Sequence, residues 1–416
     1  MNILFVTIAW PPPGERNLYT DLMDEFALKG HTVYVIGTHG SDKLPNYELN
    51  VENKISVLRV YSGKIRKTSH IRKAIALLTL DVRMLKAISK YLIKTKIDLI
   101  IGTTPSITLS LLFKKLKKHY KASFYLLLKD MWPQGSVDLK VLRKYCLPWI
   151  YLRLHEIRIY KTADYIGCMS AMGVEYIISK NKYLPQIKVE VCPNCIRPSL
   201  EVPVDSTADI RLKYNIPSDA CVFIFSGNLG LGHGLEFLAD AIKKLEDYSK
   251  AFFVIGGSGT HFSLLKDQFK NKSNNNVLLY DWLPTEDFNK ILATSDVGLI
   301  LLHKYTVPQF PSRLLSYLDY AKPVLCVVNR GTDIGTTVEN SGCGRSMIHG
   351  NLDKFVEYVK FFSENKIERM KMGKNARKLI LDNYTVSHGY EIIMGHFNNK
   401  KQIKSGTGFK TIIENV

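Results

Sequence analysis

Residues 308–323 read PQFPSRLLSYLDYAKP. Pro308 and Pro311 break the chain, and the spacing then predicts a helix from Ser312 to Lys322, where Pro323 stops it. A serine and an arginine on a first helical turn suit a phosphate, because the unpaired amides and the positive end of the helix dipole add to the guanidinium. On that helix Arg313, Ser316 and Tyr320 share one face. No pair of carboxylates accompanies them, so the stretch offers anion binding and not acid–base chemistry. The plainer alternative is an N-capping serine beside a solvated arginine.

Other candidate residues sit in similar turns. FSGNLGLGHGLEF (225–237) carries Gly227, Asn228, Gly230, Gly232, His233 and Gly234, and VIGGSGTHF (254–262) carries Gly256 and Gly257. Glycines let backbone amides approach an anion closely, although tight turns need glycine in any case. A third glycine turn, WPPPGER, contributes Gly14, Glu15 and Arg16. In KDMWPQ (129–134), Asp130 stands just before Trp132 and Pro133, placed to orient or deprotonate a hydroxyl or else to cap the following turn. No clustered Asp/Glu/His set and no Asp-x-Asp stretch suggests a metal, and no cofactor is expected. Cys192 and Cys195 in CPNC have metal or redox spacing but no second pair, so reduced thiols of a cytoplasmic protein are the better reading.

These turns need elements to hold them. NILFVTI, TVYVIGT, SVLRVY, DLIIGTT, SFYLLL, YIGCMS and VEVCPN are short, continuously apolar runs of the kind found in buried parallel strands. Helical stretches separate them, among them YTDLMDEFALKG ending on Gly30. After a looser connector (196–220) the pattern restarts with CVFIFSGN, AFFVIGG, NVLLYDW, VGLILL, PVLCVV and GRSMI. The expectation is an α/β chain of two Rossmann-like, doubly wound parallel-sheet domains facing across a cleft. Residues 1–198 form the first domain and 199–385 the second. Residues 386–416 form a helix crossing back to the first domain and a peripheral tail.

The 416 residues carry a net charge of +19, unevenly spread. Thirty of the 57 basic and fifteen of the 38 acidic residues fall within 1–195, leaving +15 there and +4 in the remainder. A basic first domain implies an anionic partner, either nucleic acid or the lipid of an inner membrane leaflet. In residues 69–96, Ile71, Ile75, Leu78, Val82, Leu85 and Leu92 recur at helical spacing, with Arg72, Lys73, Arg83, Lys86, Lys90 and Lys94 between them. Lys114, Lys115, Lys117 and Lys118 follow in FKKLKKHYK. Basic amphipathic helices favour a membrane surface over nucleic acid, for which no motif is present. The same stripe would also serve as an ordinary core-facing one. No apolar run approaches the ~20 residues that span a bilayer, and MNILFVTIAW reads as a first strand and not as a signal peptide.

In order and spacing these motifs resemble the retaining glycosyltransferases of family 4, which have the GT-B fold. The resemblance covers about residues 1–385 and rests on WPPPGERNLYTDLMDEFALKGHTVYVI, KDMWPQ, ADYIGCMS and VCPNCI. In the second domain it rests on SGNLGLGHGLEFLADAI, VIGGSG, YDWLPTEDFNKILATSDVGLILL and FPSRLLSYLDYAKPV. DMWP, SGNLG and PSR look like a bacterial surface-polysaccharide branch that includes L-fucosamine transferases of O-antigen clusters and colanic-acid enzymes.

The resemblance implies transfer of a sugar, such as an N-acetylated deoxyhexosamine, from a nucleotide-sugar with retention. UDP is the expected carrier. The acceptor would be a lipid-linked (undecaprenyl diphosphate) glycan for O-antigen, capsule or exopolysaccharide, made on the inner face of the cell membrane. Gly227-Asn228 and His233-Gly234 stand where many members carry Gly-Arg and Lys-Gly against the diphosphate. Trp282 and Leu283 occupy the base-reading loop, and Phe310 aligns with the phenylalanine of the Glu-x-Phe-Gly-x-x-x-x-Glu motif. Both motif glutamates are replaced, by Pro308 and Ser316. Arg313, His233 and the glycine amides would then stabilise the leaving phosphate, with Ser312 and Ser316 as further donor contacts. Arg16 and Trp132 would meet donor or acceptor. A nucleotide-sugar 2-epimerase, or a non-catalytic GT-B partner subunit that has lost the glutamates, are the alternatives at this point.

Overall fold

The computed structural model describes residues 1–41, 44–63, 70–105, 107–202, 207–270 and 276–404. Ser69, the side chains of Ile71 and Lys73, part of the connector and the tail from 405 onward lie outside the described residues.

The first domain is an eight-stranded sheet of β1 (Asn2–Val6), β2 (Thr32–His39), β3 (Tyr47–Glu52), β4 (Ile55–Tyr61), β5 (Leu99–Thr103), β6 (Ser123–Leu128), β7 (Tyr165–Cys168) and β8 (Val189–Val191), in the order β3-β4-β2-β1-β5-β6-β7-β8. The strands pair in parallel except β3, which runs antiparallel to β4 on the edge. β5 (LIIGT) is buried along its whole length, as a strand covered on both faces must be. Helices His70–Tyr91, Ser110–Tyr120 and Leu147–Thr162 cover one face, and helix Leu18–Leu28 covers the other. That last helix starts on a capping box, with Asn17 accepting from the Thr20 amide and Thr20 Oγ1 accepting from the Asn17 amide.

Edge strand β3 was absent from the sequence-based expectation. Its YELNVE pattern is half polar and half exposed, and it turns into β4 through Asn53 and Lys54, both at positive φ. That is a two-residue hairpin turn made without the usual glycine. The helix His70–Tyr91 also differs from its expected form. Its buried line is Ala76, Leu80, Met84, Ala87 and Ile88, while Ile75, Leu78 and Val82 face solvent.

The second domain is an all-parallel six-stranded sheet of β9 (Cys221–Ser226), β10 (Ala251–Gly256), β11 (Val277–Tyr280), β12 (Val297–Leu301), β13 (Val324–Val328) and β14 (Gly344–Ile348), ordered β11-β10-β9-β12-β13-β14. In each sheet the strand order reverses beside one strand, β1 in the first and β9 in the second. Connections diverge there and leave a crevice at the carboxyl ends.

Two chain passages join the domains side by side. The Ile196 amide donates to the Tyr384 carbonyl (3.0 Å) and the Val386 amide to the Ile196 carbonyl (2.9 Å). Helix Val386–Lys404 then returns to the first domain, where Ile393, Met394 and Phe397 join its core. Across the junction Arg197 pairs with Glu25 (3.1 Å), and Asp319 accepts from the Ser199 amide and hydroxyl (3.0 and 2.9 Å). With these ties the carboxyl ends of both sheets face a shared cavity.

Candidate functional site

The second-domain wall is built from the loops that follow β9, β10 and β12. Gly227 (φ +132°) donates its amide to the Gly256 carbonyl (2.9 Å), and Gly257 (φ +131°) donates to the Tyr280 carbonyl (3.0 Å). A Cβ on Gly257 would lie 1.7 Å from the Gly227 carbonyl oxygen, and one on Gly256 would lie 1.8 Å from the Tyr280 ring. These glycines let two loops interlock backbone to backbone. Because the Gly227 and Gly257 amides are already engaged, they do not form the anion cradle expected from the sequence. Their role is to fix the shape of the loops around the arginine beneath.

That arginine is Arg313. Its guanidinium lies 4.2 Å from the centre of the Phe225 ring and so close under Gly227 that a Cβ there would meet Nη2 at 2.9 Å. Nη2 donates to His233 Nε2 (3.4 Å), whereas Nη1 is buried with no partner. Burial lowers the pKa of Arg313, but an arginine stays charged at neutral pH. A buried cation with an unused donor is costly unless an anion completes it.

His233 is positioned differently from the cationic role expected of it. Its Nδ1–H donates to the Leu301 carbonyl (3.0 Å), which leaves Nε2 as an acceptor for Arg313. Burial and the neighbouring Arg313 charge push its pKa down to about 4. His233 is therefore a neutral imidazole that aims Arg313.

The helix at the opening motif is shorter than the sequence suggests, spanning Arg313–Asp319. Ser312 at its start makes no side-chain capping bond and stays exposed on the cavity wall. Phe310 presents its carbonyl to the cavity while its ring is buried against Tyr384. Ser316 is half-buried and Leu283 packs on the second-domain core, and neither lines the cavity. Gly234 adopts the left-handed conformation that starts helix Leu235–Lys243, and Asn228 is exposed on its loop.

The first-domain wall faces this one across a cavity of about 250 Å³. It brings Asp130, Lys129, Tyr19, Met169 and Asn194 opposite His233, Ser312 and Arg313. The Asp130 amide is fixed by Thr104 Oγ1 (2.9 Å), and its side chain is exposed on the cavity wall, where the surrounding protein partly desolvates the carboxyl and raises its pKa. Burial, then the Asp130 charge, raises the pKa of Tyr19.

Three polar residues of this wall were not singled out from the sequence. Lys129 reaches the Cys192 and Pro193 carbonyls (both 3.4 Å), and burial lowers its pKa. Asn194 donates to the Phe310 carbonyl (3.4 Å) across the cleft, and its Oδ1 is buried without a partner. Tyr19 completes the set. The one signal was position, since Lys129 directly follows a strand end.

The other first-domain candidates are not gathered here. Arg16 is tied to Asp21 (2.7 Å), Glu15 is exposed, and Gly14 (φ +85°) borders open space. None of the three lines the cavity, nor does Trp132, which donates through Nε1 to Ser136 Oγ. Cys192 and Cys195 are buried, and burial raises both thiol pKa values. Among the described residues no group of three or more His, Cys, Asp or Glu is arranged to hold a metal.

Residues 206–379 match the family model described as glycosyl transferases group 1. That span covers most of the second domain and less than half of the chain. A curated relative, the probable glycosyltransferase WbjE of Pseudomonas aeruginosa, is 26% identical over 247 residues, which are 58% of this chain and 60% of that protein. The chain thus aligns with about three-fifths of that relative's length. Among solved structures, WaaG, a glycosyltransferase involved in lipopolysaccharide biosynthesis, superimposes with TM-score 0.67 at 14% identity, covering 94% of this chain and 98% of WaaG. Anabaena HepE in complex with UDP and glucose gives TM-score 0.68 at 13% identity, covering 96% and 100%. The chain therefore has the two-domain GT-B architecture.

Proposed function

We propose that the protein is a glycosyltransferase that moves a sugar from a nucleotide-sugar, UDP-linked, to a lipid-linked glycan on the inner face of the cell membrane, with retention of configuration. The observation that carries this reading is the buried Arg313 guanidinium with its unpartnered Nη1, facing Asp130 across the cavity. Breaking the bond between sugar and diphosphate builds negative charge on the leaving group. Arg313 stabilises that charge, and it is pre-aimed by neutral His233, so little reorganisation accompanies the reaction. Asp130 takes the proton of the acceptor hydroxyl, and its raised pKa makes it a stronger base than an ordinary carboxylate. Asn194 Oδ1 accepts from a substrate hydroxyl. Same-face attack, with the diphosphate held beside the incoming hydroxyl, accounts for retention. The match of residues 206–379 to the group 1 family model, the UDP and glucose held by HepE and the lipopolysaccharide role of WaaG all favour this reading.

The test is to incubate the purified protein with a panel of nucleotide-sugars, N-acetylfucosamine-type donors included, together with a lipid extract of the source cells. Released nucleoside diphosphate is then followed. Release that requires the lipid fraction and falls in Arg313→Ala is the expected result. Nucleotide binding without consumption of any donor would overturn the assignment.

A further inference from the structure

The second domain carries another group of cations, at the end of its sheet opposite the cleft. Asp296 immediately precedes β12, and Lys322 and Pro323 immediately precede β13, so they stand at the amino ends of strands whose carboxyl ends face the first domain. With Lys366 and Arg369 they line a pocket of about 150 Å³. Helix Arg313–Asp319 leads from the cleft to Ala321 and Lys322, so the pocket abuts the far end of the element that begins with Arg313.

The charges around this pocket do not balance. Among the described residues Asp296 is the only carboxylate lining it, and it is already committed to Arg211 (3.2 Å), Arg369 (3.3 Å) and the Val222 amide (2.9 Å). Two guanidiniums on one carboxylate leave a positive charge over. Lys322 Nζ donates to the Ala293 carbonyl (2.6 Å), which uses one of its three hydrogens, and Arg211 Nε is buried without a partner. Neither Lys322 nor Lys366 has a carboxylate partner among the described residues. Burial pushes the Lys322 pKa down to about 8 despite the Asp296 charge.

A helix end adds to the imbalance. Helix Lys366–Asn383 is 18 residues long and starts at the pocket, with Lys366, Arg369 and Met370 on the lining. Its first residue follows Asn365, a type that normally caps a helix, yet Asn365 makes no capping bond and donates instead to the Phe361 carbonyl (2.8 Å). The positive end of that helix dipole is thus added to the four cations. Glu368 on the same turn is not part of the lining. A cluster of ion pairs that served packing alone would be expected to neutralise itself.

We infer that this pocket is a second anion site, which takes a phosphate-sized dianion, either the free ion or the phosphomonoester end of a sugar phosphate. The inference goes beyond the proposed function and does not rest on it. At half the lower bound of roughly 300 Å³ for pockets that hold drug-sized ligands, the space fits a small ion and not a nucleotide. Lys366 and Met370 are exposed, so the pocket opens to solvent and an ester group can extend outward.

The experiment is calorimetric titration of sodium sulfate into the full chain, with ionic strength held constant by sodium chloride. Wild type, Arg313→Ala, Lys366→Glu, and Lys322→Met with Lys366→Glu are compared. Sulfate binding should persist in Arg313→Ala, fall about threefold in Lys366→Glu and fall more than about tenfold in the double variant. Raising the pH from 7 to 9 should weaken binding in wild type, because sulfate keeps its charge while Lys322 loses a proton near pH 8. That trend should be absent from the double variant. If Lys322→Met does not fold, as circular dichroism would show, exposed Lys366→Glu still decides the matter. Equal sulfate affinity in Lys366→Glu, the double variant and wild type overturns the site. Loss of all binding in Arg313→Ala also overturns it, since the cleft then accounts for the anion, as does wild type that binds no sulfate. Inorganic phosphate and glucose 1-phosphate at one pH separate the two sources: tighter binding of the ester assigns the site to a sugar phosphate, and tighter binding of phosphate assigns it to the free ion.

Discussion

The two walls of the cleft are built by opposite means. The second-domain wall is rigid: glycine loops interlock through backbone contacts, and Arg313 is wedged among Gly227, Phe225 and His233. Its charge is fixed and its aim is preset. The first-domain wall is made of titratable groups whose pKa values burial has moved, Asp130 and Tyr19 upward and Lys129 downward. A wall of the first kind suits a ligand that is anionic throughout, such as a diphosphate. A wall of the second kind suits a proton that must move. On the proposed function, that difference is a division of labour between leaving group and proton.

The comparison breaks most readily at Arg313. Arg313→Ala removes the only cation that the second domain directs into the cavity among the described residues lining it, and should lower kcat by about 10³-fold in a donor-turnover assay. Next is Asp130→Asn, with an expected loss of about 10²-fold and loss of the acid limb of the pH profile. In wild type that limb should lie above the usual carboxylate range near ~4, because Asp130 must be deprotonated to act and its pKa is raised. A limb at an ordinary carboxylate value would separate Asp130 from the proton transfer.

Gly257→Ala tests rigidity and not chemistry. Its Cβ would collide with the Gly227 carbonyl at a backbone angle unfavourable to alanine, so denaturant unfolding should show a loss of about 3 kcal/mol. The smallest effect is expected for His233→Gln, a few-fold in turnover, because a neutral amide can still accept from Arg313. Because burial and the Arg313 charge push the His233 pKa down to about 4, activity between pH 6 and pH 8 should owe nothing to this residue. A strong pH dependence in that range that the variant abolishes would show the histidine to be charged in action.

How far this was legible in the sequence depended on how local each signal was. The thirteen strands read from continuous apolar runs are all present, because strands buried on both faces need such runs and little else. Half-exposed β3 had no such run. Residues 75–82 were legible as part of an apolar helical stripe but not as its exposed part, because the helix is apolar on two sides and periodicity alone does not tell which side meets the sheet. The glycine loops were legible as loops. Their purpose was not, since the Gly257–Gly227 contact joins turns that follow different strands. Arg313 and Asp130 announced themselves by type and position. Lys129, Tyr19 and Asn194 are ordinary residues until folding turns them toward one cavity, and the orphaned Asn194 Oδ1 exists only in three dimensions.

The central claim is that Arg313 holds the diphosphate of the donor. Calorimetric titration of UDP into wild type, Arg313→Ala and Asp130→Asn tests it most directly. Arg313→Ala should lose roughly ten- to hundredfold in affinity, the worth of a charged hydrogen bond, while Asp130→Asn binds as tightly as wild type. Equal affinity in Arg313→Ala and wild type would contradict it.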